Sequence, residues 1–396
     1  MITFFDFDKR PQGRDGQFID VTTSSEHFRA FVPSPLPPHP PIDMRHIQPL
    51  LERANQALGR LDGVSSLLPD IDSFLYMHIR KEALLSSQIE GTQSSLSEIV
   101  QAEIGDRSYL MSDDVREVLN YVTAANEGLR LIRSGLPFSI RLVKSIHKQL
   151  FASGRGSEKQ PGEFRTSQNW IAGSRPGNAI YVPPPPEYVV SLMSELESYY
   201  HDFQDQESVL ILIGVIHAQF ETIHPFLDGN GRSGRMLISL LLCLNEILRE
   251  PLLYPSLYLK ANRNKYYKLL QRVRLHGDWE SWLAFYLEGI YETANAAIET
   301  ITKLMRLFSN DRERIRQANP NTGTPEKVLE IFQRYPVSNA SMIAESLQAS
   351  KPTIRRAIGR LEEQNILTEI TGRRRSRIYV YSEYLDILEQ GTEPIR

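Results

Sequence analysis

One stretch of twelve residues concentrates the side chains that could do chemistry. An imidazole near neutral pH can accept a proton, and a carboxylate is a hard oxygen ligand for Mg2+. Two guanidiniums three residues apart lie on one helix face and suit a polyphosphate. The stretch therefore predicts a nucleotide site with a proton acceptor beside it. It reads His224-Pro225-Phe226-Leu227-Asp228-Gly229-Asn230-Gly231-Arg232-Ser233-Gly234-Arg235.

Two apolar runs flank this stretch and predict the elements that hold it. Val209 to Ile216 precede it and Met236 to Leu244 follow it, and both runs are suited to buried helices. The polar residues then form a tight loop that opens the second helix, where exposed amides and the helix dipole favour an anion. Gly229 and Gly231 allow the backbone to approach a ligand closely. No Gly-Lys-Ser/Thr follows the glycines, so the loop is not a Walker loop.

The stretch resembles the Fic motif, His-Pro-Phe-x-Asp/Glu-Gly-Asn-Gly-Arg-x-x-Arg, with every specified position filled. The resemblance implies transfer of AMP from ATP to a Ser, Thr or Tyr hydroxyl of a target protein or of the enzyme itself. It implies that His224 takes the proton of that hydroxyl, that Asp228 holds Mg2+, and that Arg235 grips the γ-phosphate. Tyr266, in a segment that resembles the region closing over the nucleotide, is the expected contact to adenine or ribose. The expected nucleotide-binding residues are Gly229, Asn230, Gly231, Arg232, Ser233, Gly234, Arg235 and Tyr266.

A second pattern lies at the end of a helix predicted from about Ile71 to Glu90. Glu90 is a carboxylate at a helix C-terminus, where the dipole disfavours it and a cationic partner would help. Ser86-x-x-x-Glu90-Gly91 resembles the inhibitory motif Ser/Thr-x-x-x-Glu-Gly/Asn of Fic proteins. The resemblance implies that Glu90 pairs with Arg235 and blocks the γ-phosphate, so that ATP cannot align its α-phosphate.

Two strand-like pieces, Gln168 to Ile171 and Ala179 to Val182, are joined by residues 173–178 and predict a hairpin. From the residues alone, an ordinary surface hairpin is expected. The resemblance implies a flap that covers the site and holds the target by strand addition. The family's Gly-x-x-Arg before the flap is present as Gly162-Glu163-Phe164-Arg165. The expected target-positioning residues are Trp170, Ile171, Ile180 and Tyr181.

The chain is predicted to be mainly α, with a Fic-type helical core, the hairpin flap and a small C-terminal winged-helix domain of α+β type. The expected divisions are an extended N-terminal arm (1–41), N-terminal helices with the inhibitory motif (42–110), the catalytic core with its following helices (111–315), a linker (316–325) and the winged-helix domain (326–396). The proline-rich end of the arm, residues 33–41, forbids helix and favours polyproline II.

The C-terminal residues carry a basic pattern. Residues 342–347 and 353–361 have helix-turn-helix spacing, and 366–370 and 378–381 alternate as strands. The basic residues at the second helix and the wing favour contact with a DNA backbone, but the winged-helix fold also serves as a protein adaptor or a dimer module. The sequence leaves these partners open. The basic residues are Lys351, Arg355, Arg356 and Arg360 at the second helix, and Arg373, Arg374, Arg375 and Arg377 at the wing tip.

Composition bounds the remaining possibilities. In 396 residues, 41% hydrophobic and 23% charged content predict a soluble globular protein of two or three domains. The formal net charge of −3 gives no whole-chain attraction to nucleic acid. The single cysteine, Cys243, allows no disulfide within the chain. With neither a signal-peptide pattern nor an apolar run of membrane length, we expect a cytoplasmic protein with no membrane association.

Other functions remain open from the sequence. The same site could remove AMP from a modified protein, with Glu90 positioning water. Doc-like kinase chemistry and phosphocholine transfer also occur among relatives. Doc-like loops read Ala-Asn-Lys-Arg where this chain reads Gly-Asn-Gly-Arg at 229–232, so Gly229 and Gly231 argue against the Doc-like branch. A nucleotide-sensing transcription regulator is the third alternative, which the intact His224 argues against. The resemblance also implies a homodimer.

Overall fold

A computed structural model describes residues 13–24, 26–66, 68, 71–104, 111–318 and 323–394. Helices dominate this part of the chain, which confirms the mainly α class. The helices are α1 (Gln48–Ser65), α2 (Ile71–Ile89), α3 (Leu96–Glu103), α4 (Asp113–Arg133), α5 (Ile140–Leu150), α6 (Pro186–Phe203), α7 (Val209–Ile223), α8 (Asn230–Leu244), α9 (Ser256–Ala261), α10 (Arg263–His276), α11 (Trp279–Ala318), α12 (Thr324–Arg334), α13 (Ala340–Ser346), α14 (Lys351–Glu363) and α15 (Ser382–Glu389). The strands are β1 (Gln17–Thr22), β2 (His27–Val32), β3 (Val337–Asn339), β4 (Thr368–Glu369) and β5 (Ile378–Val380).

Helix α7 lies at the centre of the core. Its residues from Leu210 to Ile223 are all buried, as expected for a helix that is apolar on nearly every face. Helices α6, α8, α10 and α11 pack around it. Helix α11 comes closest at Gly214, whose carbonyl accepts a hydrogen bond from Trp282 Nε1 at 2.9 Å. This burial fixes the end of α7, and with it the start of the polar loop.

Helices α2 and α4 bring the N-terminal region to the same loop. Both helices pack against α8, and they also pack against each other. Helix α4 begins at a cap, because Ser112 Oγ accepts a hydrogen bond from the backbone amide of Val115 at 3.2 Å. The end of α2 and the first turns of α4 therefore both face the start of α8.

Residues 17–32 of the expected extended N-terminal arm form an antiparallel hairpin, which was not predicted. Its period of two is visible in the alternating exposure of β1. The hairpin contacts the predicted flap through a hydrogen bond that Phe31 N donates to Val182 O at 2.9 Å. Residues 33–41 form neither helix nor strand, and residues 1–12 lie outside the described part of the chain.

Residues 323–394 form a C-terminal unit with the element order α12, β3, α13, α14, β4, β5, α15. Its three-stranded sheet has the order β3-β5-β4, with both pairings antiparallel. The predicted linker, 316–325, is too long at both ends, because α11 continues to Ala318 and α12 begins at Thr324. Pro325 sits in the first turn of α12, where a missing amide proton costs nothing. Helix α15 was not predicted.

Candidate active site

The polar loop between α7 and α8 opens onto a cavity of about 1110 Å³. The cavity is bordered by the loop, the end of α2, the hairpin 168–182 and α10. From the predicted site, its lining includes Glu90, Trp170, Ile171, Ile180, Tyr181, His224, Asp228, Gly229, Asn230, Gly231, Arg232 and Arg235.

His224 ends α7 in a left-handed conformation, with φ 50° and ψ 60°. A non-glycine residue seldom adopts this conformation, and its strain must be held by neighbours. Here Arg165 Nε and Asn169 Nδ2 donate to the His224 carbonyl at 2.9 and 3.3 Å. Burial lowers the pKa of the imidazole to about 3, and the positive charges of Arg165 and Arg274 add to the effect. The imidazole is therefore neutral near pH 7 and able to accept a proton.

The side chain of Asn230 closes the loop on itself. Its Oδ1 accepts from Phe226 N and its Nδ2 donates to Phe226 O, both at 2.8 Å. Phe226 in turn stacks on His147, with 3.6 Å between ring centroids. Asn230 was expected among the nucleotide contacts, and its side chain is engaged in shaping the loop.

The start of α8 offers a site for an anion. Gly229 precedes the helix with φ 73°, and a Cβ atom there would lie 2.4 Å from the Phe151 ring. Gly231 lies in the first turn, and its Cβ would lie 2.3 Å from Glu90 Oε1. Glycine at both positions leaves the amides of the first helical turn open to the cavity, where the helix dipole favours negative charge.

Arg235 makes the contact that the second sequence pattern implied. Its Nη2 donates to Glu90 Oε1 at 2.7 Å and to the Ser86 carbonyl at 2.9 Å. Its Nε donates to Ser86 Oγ at 2.9 Å. Burial alone would lower the pKa of Arg235, but the Glu90 carboxylate raises it above its ordinary value. Arg235 is 1% exposed and Glu90 37% exposed, so the carboxylate is the partner that solvent and ligands can reach.

Glu221 of α7 is a further carboxylate near Arg235 that sequence reasoning missed. The residue is 5% exposed and borders the cavity. Burial raises its pKa to about 7; Arg235 lowers it and the nearby Glu90 raises it. Its charge therefore changes near neutral pH.

Arg232 is held by a residue that the sequence did not indicate, Glu117 of α4. Its Nη1 lies 3.1 Å from Glu117 Oε2, and both side chains are 6% exposed. The other carboxylate oxygen, Oε1, accepts a hydrogen bond from Arg155 Nε at 2.7 Å, and Arg155 is 62% exposed. Glu117 thus bridges one buried and one exposed cation, and all three residues border the cavity.

Asp228 lies at the mouth of the loop, with its side chain 37% exposed. Its Oδ2 is 2.6 Å from Lys159 Nζ. Burial would raise the pKa of Asp228, but the bond to Lys159 lowers it below its ordinary value. The carboxylate already faces a cation, so its position fits Mg2+. The described residues contain no group of three or more potential metal ligands, so a bound Mg2+ would depend on Asp228 and phosphate oxygens.

The structure does not place Tyr266 where a nucleotide could reach it. Tyr266 is 0% exposed, and its hydroxyl lies 2.9 Å from His217 Nε2. The next residue, Tyr267, borders the cavity and is 38% exposed. The cavity is therefore bordered by Tyr267, one position further along α10 than the expected Tyr266. His217 is 2% exposed and also lies 3.0 Å from the Gly234 carbonyl, so it is a core histidine. Ser233 and Gly234 are buried and do not border the cavity.

The hairpin 168–182 turns back as expected but pairs through a single bridge, Ile171 with Tyr181. The two predicted strands do not form, and the side chains at the start of the first piece bond to other segments. Gln168 Nε2 donates to the Pro183 carbonyl and Asn169 Nδ2 to the Phe226 carbonyl. Tyr181 is buried and donates to the Thr222 carbonyl at 2.6 Å. Ile180 is 76% exposed and Trp170 39% exposed, so these two present apolar surface beside His224.

The fold and the site define a helical protein with an anion-binding loop and a neutral histidine in one cavity. Residues 137–242 match the family model described as Fic/DOC family, and residues 48–130 match the model described as Fic/DOC family N-terminal. The similarity to this family thus concerns these two segments, which include the end of α2 and the polar loop between α7 and α8.

Curated relatives agree with the family. The chain is 26% identical over 209 residues to "Protein adenylyltransferase Fic" of Drosophila yakuba, a match spanning 50% of this chain and 39% of that protein. It is 28% identical over 207 residues to a "Probable protein adenylyltransferase" of Aquifex aeolicus, spanning 51% and 58% of the two chains. Each match covers less than two thirds of the relative's own length.

Solved structures share the fold. A Fic family protein from Desulfovibrio desulfuricans superposes with a TM-score of 0.54 at 19% identity, over 86% of this chain and 97% of that chain. A Fic domain containing signaling protein from Bacteroides thetaiotaomicron gives a TM-score of 0.50 at 14% identity, over 64% and 97%. None of the described helices is long and apolar enough to cross a membrane.

Proposed function

We propose that this chain is a protein adenylyltransferase that transfers AMP from ATP to a Ser, Thr or Tyr hydroxyl of a target protein. The observation that carries the proposal is the convergence of His224, the start of α8 and two arginines on one cavity. The adenylyltransferase names of the relatives support the same reaction.

The residues around the cavity would then each have a role in AMP transfer. His224 takes the proton of the target hydroxyl as the hydroxyl oxygen attacks the α-phosphorus. The bond from that phosphorus to the bridging oxygen of the β-phosphate breaks, and pyrophosphate leaves. The amides of the first turn of α8, with Arg232, hold the phosphates, and Arg235 holds the γ-phosphate. Tyr267 lies where it can contact the nucleoside.

Magnesium fits this arrangement through Asp228. When bound, Mg2+ would neutralise charge on the phosphates and on the leaving pyrophosphate. Lys159 holds the same carboxylate in the structure, and a bound Mg2+ would take the place of its ammonium group. Glycine at 229 keeps the loop backbone in the conformation that presents Asp228 to the cavity.

Glu90 restrains the reaction in this proposal. A γ-phosphate on Arg235 and the Glu90 carboxylate compete for one guanidinium, so ATP binds with its α-phosphate misaligned until Glu90 leaves. The exposed flap residues Trp170 and Ile180 would guide the target segment past His224.

Intact-mass spectrometry after incubation with ATP and Mg2+ tests the reaction. Glu90→Gly should gain mass equal to AMP, on itself or on an added target, more than the unaltered chain does. His224→Ala in the Glu90→Gly background should gain none. Mass gain that persists without the imidazole would rule out its role as base. Labelling of a cell lysate extends the test to foreign targets.

We also propose that the C-terminal unit is a winged helix that contacts duplex DNA through the basic face of α14 and the wing 372–377. All eight basic residues of this face, expected from the sequence, are exposed: Lys351, Arg355, Arg356, Arg360, Arg373, Arg374, Arg375 and Arg377. Binding should weaken steeply with salt, since each neutralised phosphate releases counterions. Duplex DNA titrations at several salt concentrations test this, and no binding at low salt would favour a protein partner.

The homodimer and the cytoplasmic location stay predictions.

A further inference from the structure

Residues 390–393, the tail segment, follow α15 and return to the helical core. The carbonyls of Gln390 and Thr392 accept hydrogen bonds from Lys81 Nζ at 3.0 Å and Gln88 Nε2 at 2.8 Å. Both donors belong to α2, and they are 2% and 1% exposed. The tail segment is therefore bonded to buried groups of the helix that carries the inhibitory pattern.

Lys260 of α9 completes this contact. Its ammonium donates to Gln88 Oε1 at 2.7 Å and to the carbonyls of Gly391 and Glu393 in the tail segment. Gln88 Nε2 also donates to Ser94 O at 3.2 Å, so both ends of this side-chain amide are engaged. Buried polar groups are tolerated when they have partners, and loss of the tail segment would remove several at once.

The last turn of α2 is held from two sides. Ser86 and Glu90 are one turn apart and share the face that meets Arg235. Gln88 lies two residues from each, about 200° around the helix, and so points to the opposite face. Arg263 adds a third support by donating from Nε to the Ile89 carbonyl at 3.0 Å. The tail segment is thus bonded, through Gln88, to the face of the helix end opposite the one that presents Glu90 to the cavity.

We propose that the tail segment, acting through Gln88, keeps Glu90 on Arg235, which makes Gln88 a positioning residue for that carboxylate. This inference rests on the proposed restraint of AMP transfer by Glu90. When the tail segment leaves, the last turn of α2 loses its support opposite Arg235, and the γ-phosphate gains access to the guanidinium. A partner of the C-terminal unit that draws α15 away from α2 therefore activates the enzyme.

The experiment compares the unaltered chain, a chain ended after Glu389, Gln88→Ala and Lys303→Met. Lys303 is a matched control, because its contact with the tail segment is a 3.5 Å bond to the Gln390 side chain. Calorimetric titration with a non-hydrolysable ATP analogue and Mg2+ measures binding, and hydrogen exchange of residues 86–92 measures the helix end. The shortened chain and Gln88→Ala should bind about three- to tenfold more tightly, as expected when one or two net hydrogen bonds no longer oppose the ligand. Their amides should exchange faster, and Lys303→Met should change neither quantity.

The same variants in the Glu90→Gly background separate positioning from general support of the fold. Without the carboxylate, shortening the chain should leave the affinity for the analogue unchanged. An equal gain in both backgrounds, or no gain in the presence of Glu90, overturns the proposal. A loss of affinity and of Tm in both backgrounds overturns it as well. If affinity and exchange change as expected while no variant transfers AMP, the proposed function fails and the control of nucleotide access by the tail segment stands.

Discussion

The two arginines of the loop are each paired with a glutamate from the N-terminal region, but the two pairs differ in exposure. Glu117 and Arg232 are both 6% exposed, and Arg155 shares the same carboxylate. Glu90 is 37% exposed opposite an Arg235 that is 1% exposed. A buried pair with balanced charge is a fixed part of the fold, whereas a half-exposed carboxylate can be displaced by an anion. Glu117 is therefore a structural part of the site, whereas Glu90 lies where a ligand anion would bind Arg235.

The largest expected difference is between Glu117→Ala and Glu90→Gly. Removing Glu117 leaves Arg232 buried without its carboxylate, which should lower the free energy of unfolding by about 3–5 kcal/mol and abolish AMP transfer. Glu90→Gly should cost less, because Arg235 keeps its two hydrogen bonds to Ser86 and still has Glu221 nearby, and it should raise transfer. Chemical denaturation and the mass assay measure both effects.

Arg155→Ala serves as the control for Glu117→Ala, because it removes the exposed cation and leaves the buried pair intact. Its effect on unfolding should be about 0–1 kcal/mol. Equal stability losses in Glu117→Ala and Glu90→Gly would contradict the distinction between a fixed and a displaceable pair.

A smaller effect is expected from pH on the Arg235 side. Glu221, with its pKa raised to about 7 by burial, ionises as the pH rises from 6 to 8 and then competes with phosphate for Arg235. In Glu90→Gly, affinity for an ATP analogue should fall several-fold over this range, by about one factor of ten at most. The midpoint should lie below 7, since Glu90 no longer raises the pKa of Glu221.

Calorimetry across pH measures this effect, and Glu221→Gln in the same background corrects for titration of the nucleotide. Identical pH profiles with Glu and Gln at position 221 would show that this carboxyl group does not influence Arg235.

The smallest effect concerns the cation at Asp228. Lys159 and Asp228 are 42% and 37% exposed, so their pair is worth about 0.2–1 kcal/mol. Lys159→Met should therefore tighten Mg2+ binding in the presence of an ATP analogue by roughly 1.4- to 5-fold. Lys144→Met is a matched control, since Lys144 pairs with Glu163 at 2.8 Å away from the loop. Weaker Mg2+ binding in Lys159→Met would mean that the lysine supports the metal site.

Sequence reasoning reached the parts of the site that are local in the chain. The loop from His224 to Arg235 carries its chemistry in consecutive residues, and α7 and α8 follow from apolar runs. The contact between Glu90 and Arg235 was accessible because a short pattern, Ser86 to Gly91, identifies one partner. In the structure Arg235 Nη2 lies 2.7 Å from Glu90 Oε1, while the inhibitory role of this contact stays a prediction.

Contacts between distant residues were out of reach. Glu117 is an ordinary glutamate in an amphipathic helix, 115 residues before Arg232, and nothing in its neighbourhood marks it as buried. Tyr266 and Tyr267 are adjacent aromatics on α10, and the helix rotation that buries the first depends on packing against His217. The N-terminal hairpin was obscured because its alternation is short and is followed by prolines.

Helix α11 spans both parts of the molecule without a break. At about 1.5 Å per residue, its 40 residues extend roughly 60 Å. Near its start Trp282 is bonded to α7, and near its end Asp311 accepts a hydrogen bond from Tyr381 at 2.6 Å. The C-terminal unit is thus attached to one end of a continuous helix whose other end packs against α7, the helix that leads into the polar loop. Because the C-terminal unit is bonded to α11 before the cut, a chain severed after Ala318 should yield two pieces that co-purify. The unit would then not be an exchangeable module.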